Sequence, residues 1–215
     1  MPFPFITNRS IARQLGEQAM WVQRAFAGGA AAIAGLTLAT AAWAAGPHEA
    51  PIRQFADSTI RAWVSNPLVI DAIRDQNARH ARLSQSDIDA MDRRWRNETS
   101  AANRPLINRT LENRLSQHLK DLKNNQHGIV TEVFIMDNRG LNVGQSNVTS
   151  DFWQGDEAKW KETYLVGPHA IMIDEIELDE STQTFQSQLN MSIIDPETGE
   201  VIGAITVGID VEAII

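Results

Sequence analysis

Residues 130–164 read VTEVFIMDNRGLNVGQSNVTSDFWQGDEAKWKETY, and the fold predicted for the whole chain depends on this stretch. It begins with the alternation of a β-strand, in which successive side chains point to opposite faces. One face carries Val130, Glu132, Phe134 and Met136, and the other carries Thr131, Val133, Ile135 and Asp137. Residues 137–140, with the sequence DNRG, favour a tight turn because Asn and Gly tolerate positive φ angles. A second strand at 141–146 is predicted to pair back onto the first.

The second half of this stretch combines large aromatic side chains with charged ones. Helix starts are predicted at 150–151 and 155–156, and from there the pattern is helical, with Trp160 and Tyr164 four residues apart on one face. Such aromatic residues often belong to the core that covers a sheet. Here they are interleaved with Asp151, Gln154, Asp156, Lys159 and Lys161. A segment meant only for burial would be less polar, so we interpret the cluster as a recognition site.

The order of the predicted elements resembles a known family of sensors. Helices come first, followed by VTEVFIMDNRGLNVGQS (130–146), the tryptophan-bearing segment, IMIDEIELDE (171–180) and IIDPETGEVIGAITVGIDVEAI (193–214). This order resembles the Cache domain, the PAS-like (PDC) extracytoplasmic sensor fold of bacterial receptors, over residues 49–215. The resemblance implies an α+β fold in which N-terminal helices, one of them long, pack on an antiparallel sheet of about five strands. It also implies ligand binding and signal transduction, here in a stand-alone periplasmic form.

One position departs from that family. Its amino-acid-binding branch carries an arginine shortly before an aromatic pair, whereas this chain has Asp151-Phe152-Trp153 with no arginine nearby in the sequence. The resemblance therefore does not imply that this chain binds an amino acid through its carboxylate.

Asp174 is the single ionisable side chain on its predicted strand face. Residues 171–178 are expected to form a strand, and the face in question carries Met172, Asp174, Ile176 and Leu178. An inward carboxylate needs a partner, which is Lys159, Lys161 or the amine of a ligand, unless Asp174 lies just past the buried part of the strand. The resemblance implies the ligand, because Cache domains often place an aspartate at the start of this strand, opposite the aromatic helix. The predicted ligand-binding residues are Asp151, Trp153, Lys159, Trp160, Tyr164, Met172 and Asp174. The two tryptophans, the tyrosine and Asp174 are expected to line one cavity.

Simple periodicities predict the remaining elements. Residues 185–193 alternate between apolar and polar side chains, and 201–209 is apolar on both faces, which predicts a central strand. Before the sheet, Asn66-Pro67 predicts a helix start and Ser84 with Asp87 predicts a capping box. A further helix is predicted from residue 104 to Gly128. Its apolar stripe comprises Leu106, Ile107, Leu111, Leu115, Leu119 and Leu122.

Residues 1–44 are predicted to be an export signal peptide. Arg9, Arg13 and Arg24 flank or precede an apolar run rich in Ala and Gly, and Ala42-Trp43-Ala44 fits a cleavage site. The alternative is an uncleaved segment that anchors the protein in the inner membrane, because 25–45 is nearly long enough to span a bilayer. Cleavage after Ala44 would leave a helical part at 45–127 and a PAS-like sheet at 128–215 in the periplasm.

Composition argues against several classes of function. The formal charge is −8, and removal of residues 1–44, with three arginines and one glutamate, makes it −10, which argues against nucleic acid as a partner. The absence of cysteine excludes disulfides, thiolate catalysis and Cys-ligated metal. The five histidines show no metal-ligand spacing. Neither a cofactor nor a metal is predicted.

These observations predict a periplasmic sensor, not an enzyme, that binds a small polar metabolite and signals its occupancy to a membrane receptor or kinase. Aromatic rings beside a carboxylate favour an amine ligand through cation–π attraction and a charge-assisted hydrogen bond. The lysines leave a small carboxylate as the other choice. Two alternatives to the sensor are a hydrolase that uses Asp151, Asp156 or Asp174 as an acid/base pair and a protein-docking module with no small ligand.

Overall fold

A computed structural model describes residues 46–179 and 184–215. Contacts divide the chain into two units, Met1–Trp43 and Ala44–Ile215, and all described residues lie in the second unit. The predicted export signal and its cleavage site lie outside the described residues. Among the residues that are described, no helix is both long and apolar enough to cross a membrane.

In the described part of the chain, five helices precede the sheet. The first, α1, runs without a break through Glu49–Phe55, a π-helical turn at Ala56–Ile60, and Arg61–Val64. The next four are α2 (Pro67–His80), α3 (Gln85–Thr99), α4 (Pro105–Leu111) and α5 (Arg114–Asn124). Two short helices occur later in the chain and are α6 (Ala158–Lys161) and α7 (Val211–Ile214).

Within the described residues, the sheet lies entirely after Gly128. Its strands are β1 (Val130–Met136), β2 (Asn142–Gln145), β3 (Ile171–Ile173), β4 (Glu177–Asp179), β5 (Thr184–Ile194) and β6 (Val201–Asp210). The hydrogen-bonded order is β2-β1-β6-β5-β3, β4 also pairs with β5, and every pairing is antiparallel. The central position of β6 and the predicted α+β fold are therefore confirmed.

Two predicted helix starts are confirmed by their capping bonds. The Asn66 side chain accepts a hydrogen bond from the backbone N–H of Leu68 at 2.9 Å, and Pro67 occupies the first helical position. Ser84 and Asp87 form the two reciprocal bonds of a capping box at the start of α3. Each cap satisfies backbone N–H groups that a helix end leaves without partners, which stabilises the helix by about 1 kcal/mol.

The single helix predicted from residue 104 to Gly128 is wrong, because this part of the chain forms α4 and α5 instead. Asn113 separates them. Its side-chain oxygen accepts a hydrogen bond from the backbone N–H of Ser116 at 2.7 Å, and its side-chain nitrogen donates to the carbonyl of Val143 at 2.8 Å. The leucine stripe continues through the break, so periodicity alone does not reveal this N-cap.

The main core lies between the helices and one face of the sheet. It contains buried residues of α1, α2 and α5 together with buried residues of β1, β5 and β6. The prediction that the helices pack on the sheet is therefore confirmed. The buried members of this core include Ile52, Ile60, Ile73, Leu119, Val133, Ile135, Leu189, Ile193, Ile205 and Val207. Each such side chain contributes about 1.5–3 kcal/mol by leaving water. The alternate residues of these strands must therefore point to the opposite face, which we call the outer face.

A β-bulge moves one predicted residue to the core face. The register between β1 and β6 shifts between Val130 and Glu132, and one extra residue reverses the alternation of side chains. Val130 consequently packs in the main core with Val133. The alternation in the sequence predicted that Val130 shares the face of Phe134, and that prediction is wrong.

The strand predicted at 171–178 is interrupted for a similar reason. β3 and β4 both pair with β5, but residues 174–176 separate these two strands whereas only Ser187 and Gln188 separate their partner residues. The additional residue breaks the alternation. Leu178 therefore does not share a face with Asp174, and that part of the prediction is wrong.

Candidate functional site

The outer face carries a row of side chains that crosses four strands in register. Phe134 of β1 lies opposite Thr206 of β6, Thr206 lies opposite Asn190 of β5, and Asn190 lies opposite Met172 of β3. Directly opposed residues of an antiparallel pair have neighbouring side chains on one face. In this row, two polar side chains lie between two apolar ones. Met172 lies at one end of the row, and the sequence predicted that it shares a face with Asp174.

One end of the outer face is apolar and aromatic. A buried cluster there comprises Phe134, Met136, Trp160 and Ala204, with Tyr164 packed against it. The rings of Trp160 and Tyr164 are stacked, with centroids 4.7 Å apart and planes at 17°, as expected for residues four apart on a helical turn. The indole N–H of Trp160 donates to the carbonyl of Asp137 at 3.1 Å. This bond holds the indole over the end of β1.

The other end of the outer face is acidic. Asp174 is half-buried there, and burial raises the pKa of its carboxyl group, an effect opposed by the hydrogen bond from Asn190 and the charge of Lys159. The Asn190 amide donates to the Asp174 carboxylate at 3.3 Å, and the Asn190 oxygen accepts from the Thr206 hydroxyl at 2.7 Å. Among the described residues, Asp174 forms no ion pair. A partly buried carboxylate of this kind is a good acceptor for a cation.

The backbone around Asp174 is fixed by further hydrogen bonds. Its N–H donates to the carbonyl of Gln188 at 2.9 Å, and its carbonyl accepts from the Ser187 hydroxyl at 2.7 Å. The side chain of Gln188 donates to the Glu132 carboxylate at 3.0 Å. Two carboxylates, those of Glu132 and Asp174, thus flank Gln188 at the acidic end.

Lys159 is engaged by groups other than Asp174. Its ammonium group lies 5.7 Å from the centroid of the Phe134 ring, within the range of cation–π attraction. It also forms an ion pair with Glu157 at 2.9 Å, and its side chain is only 17% exposed. The sequence left three explanations for Asp174, which were a lysine partner, a ligand amine, and a position just past the buried part of the strand. None of the described lysines forms an ion pair with Asp174, although the charge of Lys159 opposes the rise in its pKa. Asp174 directly follows the last residue of β3 and is half-buried there.

A buried hydroxyl group adds an open hydrogen-bonding position. Ser192, which lies opposite Ala204, is 5% exposed, and its Oγ has no hydrogen-bond partner among the described residues. A buried polar group without a partner costs about 1–3 kcal/mol.

Two predicted site residues lie elsewhere. Trp153 packs against a separate apolar cluster on α3 and α4, and its indole N–H donates to the carbonyl of Arg139 at 2.8 Å. Asp151 forms an ion pair with Arg96 of α3 at 2.9 Å. The predicted convergence of Trp153 with Trp160 on one cavity is therefore wrong.

Asp92 of α3 is the physical reason for this placement. Its carboxylate accepts hydrogen bonds from the backbone N–H groups of Phe152 at 2.9 Å and Trp153 at 3.1 Å. Trp153 also forms an antiparallel bridge with Leu141, so the segment extends the sheet beyond β2 and the helix start predicted at 150–151 is wrong. Asp151 is thereby held at α3, so it does not face Asp174 as a hydrolytic pair would require.

Sequence reasoning missed the polar residues of β5 and β6. Alternation identifies Asn190 and Ser192 as the polar side of a half-buried strand, yet both are buried, as is Thr206. Trp160, from the segment between β2 and β3, covers a part of this face that includes Phe134 and Ala204. One signal could have indicated that this face is covered. The last strand, β6, is apolar on both faces, and such a strand is buried on both sides of the sheet.

Of the comparisons with known proteins, the one with solved structures finds similar chains. No protein-family model matches the chain, and no curated protein matches it significantly. Among solved structures, the ligand-binding domain of the Campylobacter jejuni chemoreceptor Tlp3 with 4-methylisoleucine is 13% identical, with a TM-score of 0.37 over 80% of this chain and 63% of that one. The sensor domain of the V. cholerae histidine kinase DctB is 16% identical, with a TM-score of 0.38 over 78% and 56% of the two chains.

A third neighbour is the ligand-binding domain of the Pseudomonas aeruginosa PAO1 amino acid chemoreceptor PctC in complex with GABA. It is 9% identical, with a TM-score of 0.35 over 59% of this chain and 54% of that one. These three neighbours are domains of two chemoreceptors and of one histidine kinase. This chain spans less than two thirds of the length of these three neighbours, and the likeness concerns the fold alone.

Proposed function

We propose that this protein is an extracytoplasmic sensor domain that binds a small amine-bearing metabolite on the outer face of its sheet. One observation carries the proposal. Asp174 is a half-buried carboxylate without an ion pair among the described residues, and it shares the outer face with the stacked rings of Trp160 and Tyr164. A carboxylate and aromatic rings on one face are the two features that recognise an organic cation.

The charges of the outer face favour an amine over a carboxylate ligand. Glu132 and Asp174 lie at its acidic end, and the nearby Lys159 is already paired with Glu157. An anionic ligand would therefore meet the Asp174 carboxylate and an ammonium group that is already ion-paired. A ligand ammonium group would instead donate a charge-assisted hydrogen bond to Asp174, while the apolar part of the ligand would contact Phe134 and the aromatic end.

The proposal extends to location and signalling. Export by residues 1–44, with cleavage after Ala44, would place the helical part at 45–127 and the sheet at 128–215 in the periplasm. Occupancy of the outer face would then be passed to a membrane receptor or kinase. The chemistry assigned to the site is binding and not catalysis.

The test is a thermal-shift screen of the purified protein against primary amines, quaternary ammonium compounds, small organic acids and amino acids. A ligand at a hundred times its dissociation constant stabilises the folded state by about 2.7 kcal/mol. For a protein of this size that raises the unfolding midpoint by roughly 5–10 °C. We expect at least one amine to produce such a shift.

Two variants decide the role of Asp174. In Asp174→Asn the amine-dependent shift should disappear, because the variant cannot offer a charged acceptor. The control is Glu175→Gln, which removes the same charge from an exposed neighbour and should leave the shift unchanged. Loss of the shift in both variants would indicate a general charge effect, and an intact shift in Asp174→Asn would overturn the proposed site.

A further inference from the structure

His48 ties the start of α1 to the residue that carries the proposed amine-binding carboxylate. It immediately precedes α1, which begins at Glu49. Its ring Nε2 lies 3.3 Å from the backbone carbonyl oxygen of Asp174, a residue 126 positions later in the chain. A carbonyl oxygen can only accept a hydrogen bond, so Nε2 carries the proton and donates it. One side-chain hydrogen bond therefore joins the start of a helix to a residue of the outer-face site.

The position of His48 at the end of a helix does not account for this bond. His48 occupies the N-cap position of α1, but its side chain forms no capping hydrogen bond. Helix N-caps favour Ser, Thr, Asp and Asn, whose short side chains accept hydrogen bonds from the first turn of the helix. The imidazole of His48 instead donates to Asp174. A histidine at this position thus fits the contact with Asp174 better than it fits a cap.

The His48 ring is enclosed and makes a single hydrogen bond. The residue is only 7% exposed, and its Nδ1 is buried without a hydrogen-bond partner among the described residues. Gly46 packs directly on the ring, because a Cβ atom at position 46 would lie 2.5 Å from the ring Cε1. Burial of a nitrogen without a partner is unfavourable. Within the described residues, the bond to Asp174 is therefore the polar interaction that holds the ring in this place.

Asp174 depends on such bonds because it lies outside the regular part of the sheet. It follows the last residue of β3 and begins the interruption before β4. Its backbone N–H donates to the carbonyl of Gln188 at 2.9 Å, and its carbonyl also accepts from the Ser187 hydroxyl at 2.7 Å. Both of these partners belong to β5, whereas His48 approaches from the helical part of the protein. The backbone of Asp174 is thus held from two directions, and its side chain is held with it.

The carboxyl group of Asp174 reports how deeply it is buried. Burial is the largest of the causes that act on its pKa and raises it, while the hydrogen bond from Asn190 and the charge of Lys159 oppose that rise. The charges of Glu177 on β4 and of Glu162 after α6 raise the pKa further. A shift of the carboxylate towards water would remove the largest of these effects, so the pKa would fall.

We propose that His48 is a positioning residue for the outer-face site, in which its hydrogen bond to the Asp174 carbonyl holds the carboxylate at the half-buried depth from which it binds a cation. The consequence for binding rests on the proposed amine site. A carboxylate that is partly shielded from water forms a stronger charge-assisted hydrogen bond. Loss of the His48 bond should therefore let Asp174 turn towards water and weaken amine binding. Because linkage is reciprocal, an amine bound to Asp174 would also stabilise the start of α1.

The test is an NMR titration of the Asp174 carboxyl group in the purified protein without ligand. In His48→Leu the pKa of Asp174 should fall towards its ordinary value, because the carboxylate becomes more exposed to water. In His48→Gln it should stay close to that of the wild type, since the glutamine amide can donate from nearly the same place as the imidazole Nε2. Gly46→Ala should lower it as His48→Leu does, because the added Cβ atom displaces the ring but keeps the imidazole.

His118→Leu is the matched control. His118 is a partly buried histidine of α5 whose ring nitrogen lies 3.4 Å from the side-chain nitrogen of Asn66, so its loss should leave the pKa of Asp174 unchanged. An unchanged pKa in His48→Leu would overturn the proposal, as would an equal fall in His118→Leu or a failure of His48→Gln to restore the wild-type value. Gly46→Ala decides the question if His48→Leu does not fold.

Butylamine binding separates this inference from the proposed function. Its affinity should fall at least threefold in His48→Leu and stay within twofold of the wild type in His48→Gln. Unchanged affinity in His48→Leu would overturn the role of His48 in binding. If neither butylamine nor any other amine of the screen binds the wild type, the proposed amine site fails, and the titration without ligand still decides whether His48 positions Asp174.

Discussion

Asp174 illustrates how one residue links stability to function. Because burial raises the pKa of its carboxyl group, the folded protein holds this proton more tightly than the unfolded chain does. The residue therefore favours folding below the unfolded pKa, and this contribution is lost as the pH rises through the folded pKa. At the proposed amine site, this loss of stability at neutral pH would accompany a carboxylate that is available to a cation.

The pH dependence of Asp174→Asn tests this argument without a ligand. The variant removes the titrating group, so its unfolding midpoint relative to the wild type should rise as the pH increases from about 4 towards neutral. Below about pH 4 the two proteins should be closest in stability, because the wild-type carboxyl group is then protonated in the folded and the unfolded state alike. Unfolding midpoints across this range provide the measurement. A variant that becomes less stable than the wild type as the pH rises would mean that Asp174 has a stabilising cationic partner in the free protein.

Ser192 and Ser187 make a matched pair of buried hydroxyl groups on β5. The Ser192 hydroxyl has no partner in the described part of the chain, so Ser192→Ala should be neutral or should raise the free energy of unfolding by about 1 kcal/mol. The Ser187 hydroxyl donates to the carbonyl of Asp174 at 2.7 Å, so Ser187→Ala should lower it by about 1 kcal/mol. Urea unfolding of both variants measures the contrast, and equal losses would show that the Ser192 hydroxyl is bonded.

At the scale of single residues, the sequence predicted which side chains interact locally better than it predicted where distant side chains lie. The stacking of Trp160 on Tyr164 follows from their spacing on a helical turn. The separation of Trp153 from that pair depends on Asp92, which lies about sixty residues earlier in the sequence and binds the backbone N–H of Trp153. No local pattern encodes a contact of such range, which is why the predicted four-residue cavity was wrong.

At the scale of elements, Asp137 joins α2 to the hairpin and to the aromatic end of the outer face. Its fully buried carboxylate accepts hydrogen bonds from Gln76 at 3.0 Å and His80 at 2.9 Å. It also accepts two backbone N–H bonds of its own turn, while its carbonyl accepts the indole N–H of Trp160. One residue therefore contacts groups on both sides of the sheet.

Asp137→Asn should be strongly destabilising. The substitution replaces one accepting oxygen with an NH₂ group that would face hydrogen-bond donors, so we expect a loss of about 2–4 kcal/mol in the free energy of unfolding. Denaturant unfolding measures this loss. Asp75→Asn, an exposed change on α2, should stay within about 0.5 kcal/mol of the wild type. A similar small effect in Asp137→Asn would contradict the bonding described for the turn.

The Arg74–Asp195 ion pair ties α2 to the turn between β5 and β6. The Arg74 guanidinium donates to both carboxylate oxygens, with its Nε at 2.7 Å, and lowers the pKa of Asp195 to about 2. A carboxyl group with a depressed folded pKa stabilises the protein above its unfolded pKa, and that stability is lost as the pH falls from about 4 to about 2.

Acid unfolding of Asp195→Asn tests the pair. The variant should be less stable than the wild type at neutral pH, and the difference should shrink as the pH falls from about 4 towards 2. Asp57→Asn is the control, because its ion pair with Arg61 joins residues of one helix and is largely exposed. A difference that stays constant down to pH 2 would contradict the role of Asp195 ionisation.

Elements were predictable from sequence where the signal is local. The caps at Asn66 and Ser84 are local, and both are confirmed. The break at Asn113 depends on a hydrogen bond to a backbone carbonyl of β2. The interruption at 174–176 depends on the register of β3 and β4 against β5. Hydrophobic periodicity continues through both places, so it predicts uninterrupted elements there.

At the scale of the whole molecule, the helices and the sheet share one core. Residues of α1, α2 and α5 pack directly against β1, β5 and β6, so neither part buries its apolar face alone. The order of elements could be predicted because each half has its own periodicity. The burial of Asn190 and Thr206 on the outer face could not be predicted, because the alternation of their own strands does not encode it.

A shared core predicts that the helical part and the sheet unfold together. Ile73 of α2 is fully buried against strand residues of the main core, so Ile73→Ala should lower the free energy of unfolding by about 2–5 kcal/mol. Far-UV circular dichroism reports mainly the helices, and tryptophan fluorescence reports residues such as Trp160 beside the sheet. In a two-state transition the two probes should give the same midpoint in the wild type and the same lowered midpoint in the variant. If the helical signal alone moved to lower denaturant, the helices would form a separate folding unit and the shared core would not govern stability.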